Sequence, residues 1–346
     1  MFEEAPHFRS FFLLGSIVAF PIHHQISAAA TNNIHTTTTI SLTSRETLRH
    51  TLDGNNTIII SDENVHYAVF QYLFNKTVAI AMYGDIRSWD MSRVTNMTGL
   101  FAEDVNPYLN GRDIMSQDLS YRMANLDLSL WNTSRVTSMR FMFSSYAASF
   151  FKSDLSQWET RQVTDMDAMF SYCPYFNSDL SNWNTSQVRS MNFMFKDAVS
   201  FNSNLSKWDI SRVTSMNAMF YQIARSSFFD LPVFNQDLSS WNVSRVTSMF
   251  YMFQGCTSFN GNLSTWNVAR VTDMWGMFDG CYNFNSDISL WNTSQVTNMS
   301  SMFGDTFVFN SNLSRWDVSR VINLSYMFYQ AYYFNGDLSS WNTSRC

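Results

Sequence analysis

The sequence predicts an α/β solenoid of about ten 25-residue units, each with one short strand and one short helix, closed at its N-terminal side by a small helical cap. Three observations carry that expectation. First, Trp recurs at Trp89, Trp131, Trp158, Trp183, Trp208, Trp241, Trp266, Trp291, Trp316 and Trp341, at intervals of 42, 27, 25, 25, 33, 25, 25, 25 and 25. Self-similarity at a fixed period of this size marks stacked repeats. Second, apolar residues keep constant offsets from each Trp. Third, one such unit cannot bury its own Trp, Val, Met and Phe, whereas stacked units bury them against each other.

Five residues after the Trp comes Val, as in Val213, Val246, Val271 and Val296. Met follows at eight (Met216, Met249, Met274, Met299, with Leu324 substituting once), and Met-Phe at eleven and twelve (Met219 and Phe220, Met252 and Phe253, Met302 and Phe303). Spacings of three, three and one predict two turns of helix over the segment 213–220, with Thr214 as its cap. Upstream, the pattern FNxDLSxW places Phe seven and Leu or Ile three before the Trp, without helical spacing, and is read as a short strand.

The repeats are preceded by different material. An apolar run, Phe11 to Phe20, follows Arg9 and precedes small residues, with cleavage expected after Ala28 or Ala30. Ten apolar residues are too few for a membrane-spanning helix, which needs about 20. The run matches the core of a secretory signal, so residues 1–30 are expected to be a signal peptide and the mature chain to carry no transmembrane anchor. Residues 31–82 are read as a polar linker and an N-terminal cap, and 83–346 as the solenoid. Within the cap, Val65, Val69, Tyr72 and Leu73 share one face of an expected helix, with Ser61 or Asp62 at its N-terminus.

The unit FNxDLSxWNVSxVTxMxxMFxxC, and the entry motif YGDIRSWDMSRVTNMTGLF at 83–101, resemble the BspA-like leucine-rich repeat surface proteins. The resemblance covers roughly 61–346. It implies a leucine-rich-repeat-like solenoid, exported or displayed on a surface, that serves adhesion or ligand binding without established chemistry. Bacterial members are often lipoproteins, but the first Cys here is Cys173, so an N-terminal lipidated Cys is not expected.

Composition narrows the function. The formal net charge is −6, charged residues make up 14% of the chain, and no basic cluster is present to neutralise a phosphate backbone, so nucleic acid is not an expected partner. All six His lie before the repeats, which excludes a His-based triad or zinc site within the solenoid. No cofactor is implied. Carboxylates are the remaining candidate chemistry. Asp154, Asp179, Asn204, Asp237, Asn262, Asp287, Asn312 and Asp337 occupy the position four before the Trp, and from Asp179 onward Asp and Asn alternate. Stacked carboxylates about 5 Å apart would repel, and alternation doubles that distance to about the Debye length. A structural ladder satisfying turn amides, calcium binding and a carboxylate-pair hydrolase are the three readings of this column. Six before the Trp, Asn177, Asn202, Asn235, Asn260, Asn285, Asn310 and Asn335 are expected to form an internal hydrogen-bond ladder.

Cys173, Cys256 and Cys281 share the position fifteen after the Trp, and Cys256 and Cys281 fall in adjacent units, about 5 Å apart, within disulfide range. A bridge between them and a buried small residue are both open readings. Thirteen Asn-x-Ser/Thr sequons occur, of which Asn132, Asn184, Asn242, Asn292 and Asn342 follow the Trp directly, while Asn55 and Asn75 lie outside the repeats. In a secreted chain these are candidate glycosylation sites.

The breaks in period carry the candidate contact residues. Seventeen extra residues separate Trp89 from Trp131, including Tyr108 and Arg112, and eight separate Trp208 from Trp241, including Phe228, Phe229 and Asp230. Insertions in repeat stacks map to loops on one face. Trp275 stands off the Trp register, where other units carry Asn217, Phe250 and Ser300, and is expected to face solvent.

These readings lead to a secreted or cell-surface, non-catalytic scaffold that binds an extracellular protein or glycan. A structural wall or matrix protein is one alternative, and a carbohydrate-active enzyme using Asp104, Asp113 or Asp230 is another. The final unit stops before its Val-Met-Phe half, so either its rung is open for self-association or the chain continues beyond the given sequence.

Overall fold

The computed structural model describes residues 58–110, 117–223 and 231–346. The expected signal peptide and nearly all of the linker lie outside these residues. The chain divides into two units, Met1–Leu48 and Arg49–Cys346, and everything described belongs to the second.

The cap forms as a pair of helices, α1 (Val65–Phe74) and α2 (Lys76–Tyr83). Val65, Val69, Tyr72 and Leu73 are all buried, on the face that their spacing marks. The helix start differs from expectation. Asn64 occupies the N-cap position, with its side chain accepting from the Ser61 amide at 3.0 Å. Asp62 is directed elsewhere, to the first rung of the repeats. A third helix, α3 (Gln117–Ala124), lies in the long insertion, and Arg122 on it donates to the Leu73 carbonyl at the end of α1.

The repeats stack one rung per Trp, but their rungs are neither strand-plus-helix nor leucine-rich-repeat-like. Between rungs, the described residues show single parallel bridges, from Asn96↔Ser138 to Asn298↔Asn323, and no sheet. The helix expected at 213–220 is absent. Ala218, in its middle, has φ 51°, as do its equivalents Phe141 (55°), Phe193 (57°), Tyr251 (54°) and Ser301 (51°). A left-handed residue at this position ends any α-helix.

The hydrogen bonds give the reason. In the rung of Trp266, the amides of Met274, Gly276, Phe278 and Gly280 donate to Asn298, Ser300, Met302 and Gly304 of the next rung, at 2.8 to 3.0 Å. The alternate amides, Met277, Asp279 and Cys281, donate three residues back within their own rung, to Met274, Gly276 and Phe278. Each rung is therefore a chain of three-residue turns whose outward amides are satisfied by the neighbouring rung. Turns of three residues also bring Val, Met and Met to one side, so the same spacing fits both structures. The Thr after each Val does not cap a helix. Thr272 and Thr297 instead donate, through amide and hydroxyl, to Thr247 and Thr272 of the rung before.

Three aromatic columns run through the stack. The indoles from Trp89 to Trp316 lie 6.2 to 6.5 Å apart, with planes within 11° of parallel. The Phe twelve after each Trp stacks on its equivalents at 5.2 to 5.9 Å, from Phe101 to Phe328. The Phe seven before the next Trp lies against it, as in Phe253–Phe259 at 4.1 Å and Phe278–Phe284 at 3.9 Å. Each fully buried ring removes apolar surface worth about 1.5–3 kcal/mol from water, so every rung adds cohesion to its neighbours. Every indole except the first also donates from Nε1 to a carbonyl of the preceding rung, Trp266 to Leu238 for example.

Candidate binding face

The residues between the constant offsets leave the core and make a surface row. Tyr146, Tyr172, Lys196, Tyr221, Tyr251 and Trp275 come from six successive rungs, one from each. Tyr146 and Tyr172 lie 4.7 Å apart, Tyr221 and Tyr251 6.0 Å, and Tyr251 and Trp275 4.6 Å. Lys196 spans the middle. Its Nζ is 4.4 Å from the centroid of the Tyr172 ring and 5.6 Å from that of Tyr221, and it donates to the Tyr172 hydroxyl. A cation held over ring faces is attracted by their negative π-surfaces. Tyr146 is 50% and Trp275 40% exposed, while the inner members are half-buried.

Carboxylates border the row. Asp167 lies 3.6 Å from Arg140 and accepts from the Ser190 hydroxyl and the Asn192 amide. Asn192 in turn accepts from Ser215 and the Asn217 amide, a polar column nine residues after each Trp in which Trp275 stands two rungs further on. Asp279 accepts from the Gln254 side chain at 2.9 Å. Burial, reinforced by the nearby Asp305, raises its pKa to about 6, so its charge changes near neutrality. Burial likewise raises the Tyr251 phenol, with Asp279 adding to it, and lowers Lys196 against the opposing pull of Asp197.

Trp275 is therefore solvent-facing and ends a row. The other candidate contacts are not brought to it. Tyr108 belongs to the cap, where its ring is 5.2 Å from Tyr67 and 6.1 Å from Phe70. Arg112, Phe228, Phe229 and Asp230 lie outside the described residues, as do Asp113 and Asn55, while Asp104 is exposed. The row's other members escaped the sequence because their offsets from Trp vary: fifteen for Tyr146, fourteen for Tyr172, thirteen for Lys196 and Tyr221, ten for Tyr251. No single column of an alignment contains them.

The remaining candidates sit in the repeat framework. Cys256 and Cys281 are free thiols rather than a bridge. Each points into the core and donates to the Phe carbonyl of the preceding rung, Cys256 to Phe220 at 3.0 Å and Cys281 to Phe253 at 2.9 Å. Residues at one column of a parallel stack point alongside each other, and here each has its own acceptor. The Asx residues four before the Trp each accept the amide two residues on, at 2.8 to 3.0 Å. That is turn chemistry. The Asn ladder six before the Trp forms as well, each side chain from Asn177 to Asn310 accepting the next rung's Asn amide at 2.8 to 3.0 Å. It runs along the surface, not the interior. Among the described residues, no group of three His, Cys, Asp or Glu could hold a metal ion, and no helix is long and apolar enough to cross a membrane. Asn75 and the Asn residues that follow Trp131, Trp183, Trp241, Trp291 and Trp341 are exposed.

Stacked single-turn rungs joined by ring columns define a tandem-repeat protein whose units are built from turns. Four overlapping segments, 68–114, 113–227, 224–293 and 261–346, match one repeat family. The chain belongs to that family, described as Mycoplasma protein of unknown function, DUF285. This match replaces the BspA-like leucine-rich repeat assignment that the motifs suggest. No curated protein and no solved structure matches the chain.

Proposed function

We propose that the chain is a non-catalytic repeat scaffold, secreted or held at a cell surface, that binds an extracellular glycan or protein along the row from Tyr146 to Trp275. The observation that supports this reading is the row itself. The stack buries its structural aromatics almost completely, yet six successive rungs each place an aromatic or lysine side chain outside the core. Ring faces with adjacent amide, carboxylate and ammonium groups suit sugar rings, which stack on their apolar faces and hydrogen-bond at their edges. A long row of shallow contacts also suits an extended ligand better than a small one.

The test is binding of the purified chain to glycan and protein arrays, with Trp275→Ala and Tyr221→Ala compared to the parent. Both substitutions are expected to weaken binding at least tenfold, since aromatic contacts dominate such interfaces. Unchanged binding by both, or no binding at all, would sink the reading. Turnover of a bound glycan would favour the enzyme alternative.

A further inference from the structure

The alternation of Asp and Asn in the repeats has a second half, in the residue directly after each Trp. From Trp183 to Trp341, every rung carries one complete glycosylation sequon across these two positions, never two. Asn184, Asn242, Asn292 and Asn342 supply it after the Trp in alternate rungs. Asn204, Asn262 and Asn312 supply it before the Trp in the rungs between. The partner position is Asp in six of these seven rungs: Asp179, Asp237, Asp287 and Asp337 before the Trp, Asp209 and Asp317 after it.

The fold does not require this choice. At both positions Asp and Asn make the same turn, accepting the amide two residues on: Asp209 from Ser211 at 3.0 Å, Asn242 from Ser244 at 3.2 Å. Charge spacing alone would also place one Asp per rung. The rung of Trp266 separates the two explanations. There both positions are Asn, Asn262 and Asn267, so no charge is kept, yet Ala269 replaces the Ser that would complete a second sequon. What is preserved in that rung is the single sequon.

We propose that the stack is N-glycosylated at these seven asparagines, one beside the Trp of each rung, in two columns flanking the buried Trp column; Asn298 and Asn323 complete further sequons seven residues after Trp291 and Trp316, outside these columns. All seven are exposed. Each Oδ1 is engaged by the backbone, for example Asn204 by Ser206 and Asn292 by Ser294, and Nδ2, the atom that bears a glycan, makes no hydrogen bond among the described residues. A polyprenyl-diphosphate-linked oligosaccharide is the donor. The new bond joins Nδ2 to the sugar's anomeric carbon, the anomeric carbon–oxygen bond to the diphosphate breaks, the polyprenyl diphosphate leaves with the bonding pair, and an amide proton passes to a base. The spacing has a steric reason. Rungs at the indoles are 6.2 to 6.5 Å apart, too close for bulky branched chains on every rung of one column, and skipping a rung doubles the distance. This inference rests on the export reading, because such donors are used on exported chains.

The experiment takes the full-length chain from cells that produce it, releases glycans with a peptide amidase in oxygen-18 water, and maps the labelled Asp by mass spectrometry. Label is expected at the seven asparagines, with none at Asn267. A chain without label at these positions overturns the proposal, and fractionation of the same cells shows whether export failed with it. In an Ala269→Ser variant, Asn267 becomes a sequon one rung from both Asn242 and Asn292. Its occupancy is expected to be severalfold below theirs. Full occupancy of all three would refute the steric spacing and return the alternation to charge.

Discussion

The indole Nε1 of Trp266 donates to the carbonyl of Leu238 at 2.9 Å, across 28 residues of sequence and one step of the stack. The same bond recurs at Trp183 to Leu155, Trp208 to Leu180 and Trp316 to Ile288, at 3.0 to 3.1 Å. It makes Trp the residue that both fills a rung and ties it to the one before. Substituting Trp266→Phe keeps a ring but leaves the buried Leu238 carbonyl without its donor. An unpaired buried acceptor costs about 1–3 kcal/mol, and the smaller ring adds a cavity. Urea unfolding is expected to show a loss of about 2–4 kcal/mol, and a clearly smaller loss for Trp341→Phe, whose indole is only partly buried.

Asp62 does for the first rung what a preceding rung does for all others. Its carboxylate accepts from the Thr95 amide at 2.7 Å, the Asn96 amide at 3.0 Å and the Thr95 hydroxyl at 2.6 Å. Burial raises its pKa, but the hydrogen bonds from Thr95 and Asn96 outweigh that, and the net shift is downward. A lowered folded pKa means stability that is present above the unfolded value and lost as pH falls through the folded one. Asp62→Ala is expected to cost about 1 kcal/mol at neutral pH, as for other capping carboxylates. Thermal melts of the two proteins should begin to converge below about pH 3.9, the ordinary Asp value, and meet once pH falls below the lowered folded value. A constant difference down to acid pH would contradict this role.

Thiol counting separates free cysteines from a bridge. Cys173, Cys256 and Cys281 are buried and Cys346 is exposed. Burial pushes the three buried thiols well above their ordinary range, so they carry little reactive thiolate. An aromatic disulfide reagent is expected to titrate one thiol per chain in the native state and four after unfolding without reductant. Two after unfolding would mean that Cys256 and Cys281 are bridged.

The left-handed position ten residues after each Trp gives a reciprocal pair of substitutions. Ser301 holds φ 51° there and Gly276 φ 55° in the rung before. An L-residue in this conformation costs about 1–2 kcal/mol, offset by about 0.5–1 kcal/mol for the freedom Gly has when unfolded. Ser301→Gly is therefore expected to raise stability by up to about 1 kcal/mol. Gly276→Ser should lower it by more, because a Cβ at Gly276 would sit 2.4 Å from the Tyr251 ring. Opposite signs in calorimetric melting temperatures are the expected result. If both substitutions lower the melting temperature equally, the backbone argument fails.

The amino-acid order alone determined the stack, its register and its core. A 25-residue Trp period with constant apolar offsets has no other way to bury its rings, and the cap helix follows from the four apolar residues on one face of 65–73. The Asn ladder was legible as a hydrogen-bonded column, but its place on the surface was not, and the sequence left calcium binding and hydrolysis open for the Asx column beside the turn bonds that its side chains make. The backbone within a rung was not. Val, Met and Met at spacings of three suit a helix and a chain of three-residue turns alike, and only the neighbouring rung, by accepting alternate amides, selects the turns. The surface row was hidden for a related reason. Tyr146, Lys196, Tyr251 and Trp275 hold different offsets, and a shared face exists only once the rungs are stacked. Contacts between rungs, not along the chain, decided both.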